Sequence, residues 1–521
     1  MPNDGRRRAK TAVKVFVREA TLTRAELDAV RLPRDAVVLE RVTGADEFVA
    51  EEGPVRRYRR HVEVLEQIGD SGARVRQTVE VSAAIPFWGW IFSRPLVRHL
   101  ARIRPVARTP WWLPPDRLDA RASVVLARLG VLAYVLGYCG TLLTQTITYA
   151  AAEFGQGRAA QGVSLAAVRA DVLLAVPLAL LADRRGRRLL VVFGTIAACS
   201  FATLGVLSVS LGTLTVAQVL ARGSGSAAVV TLGVMVAEEM PAGARAWATS
   251  LMVMAGAFGA GLCVILLPVA DMNPVAVPMT DWHVGAWRLL YLVPFAGIPL
   301  ARAAGRGLEE SRRFVVAHAS RVRGHGRRFW LLALSGFLLA LFTSPASQFQ
   351  NEFLRNDRGF SGARITLFIL ATSIPGSIGI VVGGRLAEIG RRAVGALAVA
   401  VGVGLTVVMY HSTGWPLWAV SSIGSIFGAA AVPALGVYGA ELFPTGARGA
   451  ANGMLGLIAR VGSVIGLVAT GYLADRIGLA RALLYMAAGP AVMTALVLLF
   501  YPETAHRELE DLNPEDAAPS S

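Results

Sequence analysis

Beyond residue 121 the apolar residues gather into runs of roughly 20, separated by short polar turns. A run of that length is what a helix needs to cross about 30 Å of hydrocarbon. The pattern predicts twelve spans, at 122–150, 162–182, 189–209, 213–236, 245–269, 285–303, 329–351, 364–385, 392–411, 416–441, 450–474 and 480–501. Several are rich in Gly and Ala and are interrupted by Pro177, Pro345, Pro375 and Pro433, which membranes tolerate where helices pack closely. Hydrophobic residues make up 54% of the 521 and charged ones 17%, against about 25% charge in a soluble chain.

The spans repeat. LLADRRGRR, Leu180 to Arg188, returns as LAEIGRR, Leu386 to Arg392, each a basic turn between two apolar helices. Glu238, Pro241 and Arg245 match Glu441, Pro444 and Arg448, every pair offset by 203. Two related halves therefore make up the membrane part. The expected fold is an all-α integral membrane protein, twelve transmembrane helices in two six-helix repeats, preceded by a small α+β region. The expected divisions are 1–121 (a β-hairpin plus an interfacial helix), 122–303 and 329–501 (the halves), 304–328 (a loop between them) and 502–521 (a tail).

Arginine placement orients the bundle. Arg184, Arg185, Arg187 and Arg188 follow span two; Arg385, Arg391 and Arg392 follow span eight; eight arginines lie in 302–328. The connection 271–287 has no Lys or Arg. The positive-inside rule then puts both termini in the cytoplasm of a multi-pass plasma-membrane protein. Arg355, Arg358 and Arg364, after span seven, dissent. The net charge of +16 belongs to this pattern and not to a nucleic-acid partner. Only two of the 52 basic residues are lysine, which with abundant Ala, Gly and Val suggests a GC-rich bacterial genome.

Residues 1–121 carry 23 basic and 16 acidic residues and no span. Alternation over 55–66 and 73–83 predicts two strands joined by a turn containing Gly69, Asp70 and Gly72. The segment 85–104 mixes Phe87, Trp88, Trp90, Ile91 and Phe92 with Arg94, Arg98, Arg102 and Arg104, a mixture suited to an anionic headgroup layer. Packing of the aromatics onto the hairpin is the alternative. The start, MPNDGRRRAKTAVKVFV, lacks an apolar core long enough for a secretory signal.

Several chemistries are not encoded. No GxxxxGK[ST] occurs, and Lys10 and Lys14 do not follow glycine, which argues against an ATP-driven pump. The seven histidines show no metal-ligand spacing, no GxSxG elbow is present, and Cys139, Cys199 and Cys263 lie inside apolar spans without CxxC spacing. Neither enzyme activity, cofactor nor metal is expected.

With these turns in hand, residues 122–511 resemble the major facilitator superfamily. ALLADRRGRR (179–188) is similar to its loop motif GxLADxxGRR, with Ala179 for the first glycine; GRLAEIGRR (384–392) is one residue shorter and has Glu388 for the aspartate. LEESRRF (308–314) and YPETAHRELEDL (501–512) resemble segments of the sugar-porter-like branches. The resemblance implies a monomeric secondary transporter whose halves rock around a midplane site, with a small organic solute, protons and the bilayer as partners. Span five, MVMAGAFGAGLCVILL, lacks the Gly-Pro motif of proton-driven drug exporters, so uptake is favoured over export. An exporter of the same fold remains one alternative. A membrane-anchored sensing module acting through residues 1–121 is the other.

Charges within hydrocarbon are costly and mark functional candidates. For proton coupling these are Asp171, Arg222 and Arg169, with an Asp171–Arg222 ion pair expected from their matched depth; Arg460 lies inside span eleven, and Arg222 resembles the family's span-four arginine. Tyr138, Thr141, Gln145, Gln218, Gln348, Gln350 and Asn351 are candidates for lining a substrate cavity. The cytoplasmic gate is expected from Asp183, Arg184, Gly186, Arg187, Arg188, Glu238 and Arg245, with Glu388, Gly390, Arg391, Arg392, Glu441 and Arg448 as counterparts. By resemblance Asp183 latches onto the amino end of span eleven, where a helix dipole favours negative charge.

Overall fold

The computed structural model describes residues 13–68, 72–104, 110, 112–114, 116–175, 177–178, 186–241, 244–276, 283–310, 326–387, 389–443 and 445–505. Asp183, Arg184 and Glu388 lie outside these, as do the side chains of Arg245 and Arg448.

The amino-terminal region is an antiparallel sheet of β1 (Lys14–Thr23), β2 (Leu39–Gly44), β3 (Glu47–Glu52), β4 (Val55–Ile68) and β5 (Gly72–Ala83), in the order β1-β5-β4-β3-β2. The alternating segments form its central hairpin, with Val62 opposite Gln77. Three strands and helix α1 (Arg24–Val30) were not foreseen. The helix starts at a local signal, a capping box in which Thr23 and Glu26 satisfy each other's backbone N–H. Under the sheet lies a buried ion pair. Arg60 donates to both oxygens of Glu40, at 2.8 and 2.5 Å, and to the Val30 carbonyl at 2.7 Å. The Tyr58 hydroxyl donates to the same carboxylate at 2.6 Å. Burial, reinforced by Glu40, pushes the Tyr58 phenol far above its usual value.

Helix α2 (Gly89–Leu100) divides the two expectations for 85–104. Leu96, Val97 and Leu100 pack on Val79 and Val81 of the sheet. Trp90 stays 77% exposed and Ile91 and Phe87 are also exposed. Trp88 turns the other way: its indole N–H donates to the Ala127 carbonyl of span one at 2.9 Å, and its ring meets Tyr134 edge-on. The Trp88 indole thus ties the amino-terminal region to the bundle.

Helix is present at each predicted span, and among the described residues ten helices are long and apolar enough to cross a membrane. Span one runs over Ala120–Glu153, capped by Asp119, whose carboxylate accepts from the Ala122 N–H at 2.6 Å. Span two is helical over Arg158–Val168, turns at 169–170 and resumes at Asp171. Span six starts as a tight 3-10 segment, Ala286–Leu292, before Val293–Gly305. Small residues bring backbones together: a Cβ on Gly137 would run into the Gly256 carbonyl of span five, and one on Gly466 into the Leu341 carbonyl of span seven. Spans one and five therefore pack in the first half much as seven and eleven do in the second.

Candidate functional site

The end of the bundle where span one begins carries both basic turns. Gly186 has φ +106, and a side chain there would meet the Glu310 carboxylate. Only glycine lets that carboxylate reach the next helix, Arg187–Leu204. Glu310 accepts from the backbone N–H of Arg187 at 2.9 Å and of Arg188 at 3.2 Å. The Arg187 side chain pairs with Glu238, and that of Arg188 reaches the Gly305 carbonyl. In the second half Glu503 accepts from the N–H of Arg391 at 2.9 Å and of Arg392 at 3.2 Å, while Arg391 pairs with Glu441. Gly390 stands where Gly186 does, with Glu503 its nearest neighbour. The pairs 187–238 and 391–441 are counterparts in the two repeats, the glutamates 203 and the arginines 204 residues apart. Glu310 and Glu503 stand in the segments 308–314 and 501–512, 123 residues after Arg187 and 112 after Arg391, too far along the chain for any local signal of capping.

At the opposite end the two halves are locked together. Arg158 binds Glu352 at 3.2 Å and also Asp357, and Gln161 donates to Glu352 at 3.0 Å. Asp475 of span eleven accepts from the Arg158 and Ala159 N–H groups, each at 2.9 Å, capping span two. Gln145 accepts from Asn351 and Gln348 from Thr144, both at 2.7 Å. These three, expected to line a cavity, instead tie the halves at this gate. Tyr138 donates to the Leu290 carbonyl at 2.9 Å and Thr141 to the Gly137 carbonyl at 3.0 Å, both within the first half.

The dissenting arginines work here too. Arg355 pairs with Asp271 at 2.5 Å; Arg358 donates to the Ser412 and Tyr410 carbonyls at the end of span nine; Arg364 lies over the Phe360 ring. Charges consumed as ties and helix caps explain why this connection departs from the positive-inside pattern.

Away from this end, the halves are also joined deep in the bundle. Asp171, 4% exposed, receives Arg460 of span eleven on Oδ1 and the Ser226 hydroxyl on Oδ2 at 2.5 Å. The expected partner, Arg222, makes no hydrogen bond or ion pair among the described residues. It remains within electrostatic reach of Asp171, Arg169 and Arg460. The reason is geometric: depth along spans two and four placed Asp171 and Arg222 at one level, but the facing helix across the interface supplied the closer guanidinium. A cavity of about 770 Å³ lies within the second half, lined by Ser335, Thr343, Gln350, Thr372 and Ser425 among small apolar residues, apart from the charged cluster.

Residues 332–520 match the family model described as Major Facilitator Superfamily. No curated protein matches the chain. Solved structures similar to it include a bacterial homolog of the human lysosomal transporter Spinster, inward-facing and unoccupied, 16% identical over 77% of this chain and 99% of that one, TM-score 0.63. The xylose transporter XylE from E. coli, inward open, is 16% identical over 76% and 99%, TM-score 0.60. The nucleoside transporter NupG is 12% identical over 72% and 100%, TM-score 0.60. The bundle therefore shares the fold of these membrane transporters. The family match lies in the second half of the bundle, and the fold likeness extends over both halves.

Proposed function

We propose that the protein is a proton-coupled importer of a small organic solute in a bacterial plasma membrane, with the basic turns and both termini in the cytoplasm. The observation that carries this is the Asp171–Arg460 pair, the deepest contact between the halves in a bundle closed at the far end. With the basic turns inside, that closed end faces outward and the state is inward-facing.

Opening the outer end must part spans two and eleven, and with them Asp171 and Arg460. A carboxylate stripped of its guanidinium in a poorly hydrated site is most cheaply held as the acid. The proton then enters from outside. When the outer end closes, Arg460 returns, the carboxylate is favoured again and the proton leaves inward. The groups facing Asp171 are Arg169 on its own span, Arg222 and Ser226 on span four and Arg460 on span eleven.

The test is accumulation of a labelled solute, identified by comparing metabolites of deletion and overexpression strains. In proteoliposomes with an imposed pH gradient, Asp171→Asn should abolish accumulation and retain exchange. Undiminished gradient-driven accumulation would remove Asp171 as the coupling acid. Efflux against the gradient would favour an exporter.

A further inference from the structure

One carboxylate does not balance this cluster. Arg169, Arg222 and Arg460 lie within mutual electrostatic reach, and Asp171 is the acid among them: three positive charges against one negative, an excess of two. Asp171 spends its oxygens on Arg460 and Ser226. Among the described residues, Arg169 and Arg222 keep guanidiniums without hydrogen-bond partners. Unneutralised guanidiniums at mid-membrane are costly unless water or a ligand meets them.

Two further observations point to the same place. Gln218 is fully buried, and neither its amide oxygen nor its amide nitrogen has a partner. It lies four residues before Arg222, which lies four before Ser226, so all three share one face of span four. Buried polar atoms are nearly always satisfied, so an orphaned amide one turn from an unpaired guanidinium asks for a partner. Span two also breaks at this level: Ala170 N–H bonds the Ala167 carbonyl at 3.0 Å and Leu173 N–H the Ala170 carbonyl at 2.9 Å, tightened turns in place of a continuous helix. Irregular backbone at membrane depth belongs where protein or a solute surrounds it, and broken helices mark transporter binding sites.

We infer that the transported solute is an organic anion, its carboxylate or phosphate held by Arg169 and Arg222, with Gln218 bonding its neutral part. A guanidinium is a rigid fork of donors suited to such oxyanions. This inference rests on the transporter reading but not on proton coupling. Asp171 would repel the anion while charged and cease to repel it once protonated, so proton and anion would load together in the outward-open state.

The experiment uses full-length protein in detergent and follows its melting temperature in titrations with matched pairs: benzoate and benzamide, gluconate and glucose, glucose 6-phosphate and glucose. At least one anion should stabilise the protein while its uncharged counterpart does not. Arg222→Gln should weaken the half-saturating concentration about tenfold or more, the loss expected for one charge-assisted hydrogen bond. Arg222→Lys, which keeps the charge and is less prone to misfold, should fall between. Asp171→Asn should bind the anion at least as tightly as the wild type, although it loses proton coupling. Equal stabilisation by charged and uncharged members, no stabilisation by any anion, or unchanged binding in both Arg222 variants would overturn the inference. The proton-coupling reading would survive that failure, because its own test does not depend on the charge of the solute.

Discussion

Glu310 and Glu503 hold the same place in the two halves: each lays a carboxylate across the first two backbone N–H groups of the helix that follows a basic turn. Each clips the chain leaving its half onto the start of that half's third span. A carboxylate at a helix amino end contributes about 0.3–1 kcal/mol when exposed and up to ~2 when partly buried. Glu310→Gln and Glu503→Gln should each lower stability by that order, measured as a melting shift. Burial would raise the Glu503 carboxyl, but N–H groups of Ala505, Arg391, Arg392 and Thr504 outweigh it and hold it below 4.5. A depressed carboxyl stabilises above its unfolded pKa and loses that contribution as pH falls through the folded one. The Glu503→Gln penalty should therefore be complete at pH 7 and shrink below about pH 4.5.

The joined end of the bundle, the outer gate in the proposed function, rests on Glu352, which accepts from Arg158, Gln161 and Asn356. Glu352→Gln weakens all three bonds and should shift the population toward the outward-open state. The three native cysteines are buried, so a thiol placed at exposed Gln156 can be read with a membrane-impermeant maleimide. Its labelling rate should rise in the Glu352→Gln background. An unchanged rate would mean that Asp475 and the Asn351–Gln145 bond close the gate without it.

Arg60 and Glu40 are both fully shielded from solvent at their side chains. Removing one partner strands the other charge, at a cost of about 3–5 kcal/mol. Arg60→Met in the full-length chain should expose the sheet to limited proteolysis and hydrogen exchange while leaving the membrane helices protected. The double change Arg60→Met with Glu40→Leu should recover much of the loss.

Trp90, Ile91 and Phe87 form the apolar part of α2 that the sheet leaves uncovered. Trp90→Cys labelled with an environment-sensitive dye should report an apolar surrounding in anionic proteoliposomes. It should report a wetter one as salt rises, because the attraction of Arg94 and Arg98 to the surface is screened within ~8 Å at physiological salt. Salt-independent burial would point to a protein contact.

Much of this architecture is legible in the sequence because it is periodic. Runs of apolar residues give the spans, alternation gives the β4–β5 hairpin, and the repeat of the basic turn and of the glutamate 203 residues on matches Arg187 and Glu238 with Arg391 and Glu441. The site is legible only in part. A charge within hydrocarbon announces itself, so Asp171, Arg169, Arg222 and Arg460 could all be singled out, but pairing depends on which helices face each other across the halves. No period in one helix encodes that, and Arg460 takes the place expected of Arg222. Gln145, Gln348 and Asn351 show the same limit: polar residues in spans announce a contact without revealing whether it is to a solute or to the opposite half. Strands β1, β2 and β3 are short or interrupted by charges, so their own pattern does not announce them.

The central claim, that Asp171 takes up and releases the coupled proton as the halves part and close, can be read without a known substrate. Proteoliposomes on a solid-supported membrane are given pH jumps, and the transient current is recorded for wild type, Asp171→Asn and Arg460→Gln. Wild type should show a proton-binding transient. Asp171→Asn should show none, and Arg460→Gln, which removes the partner of the carboxylate, should change the size of the transient. A transient of wild-type size in Asp171→Asn would contradict the account.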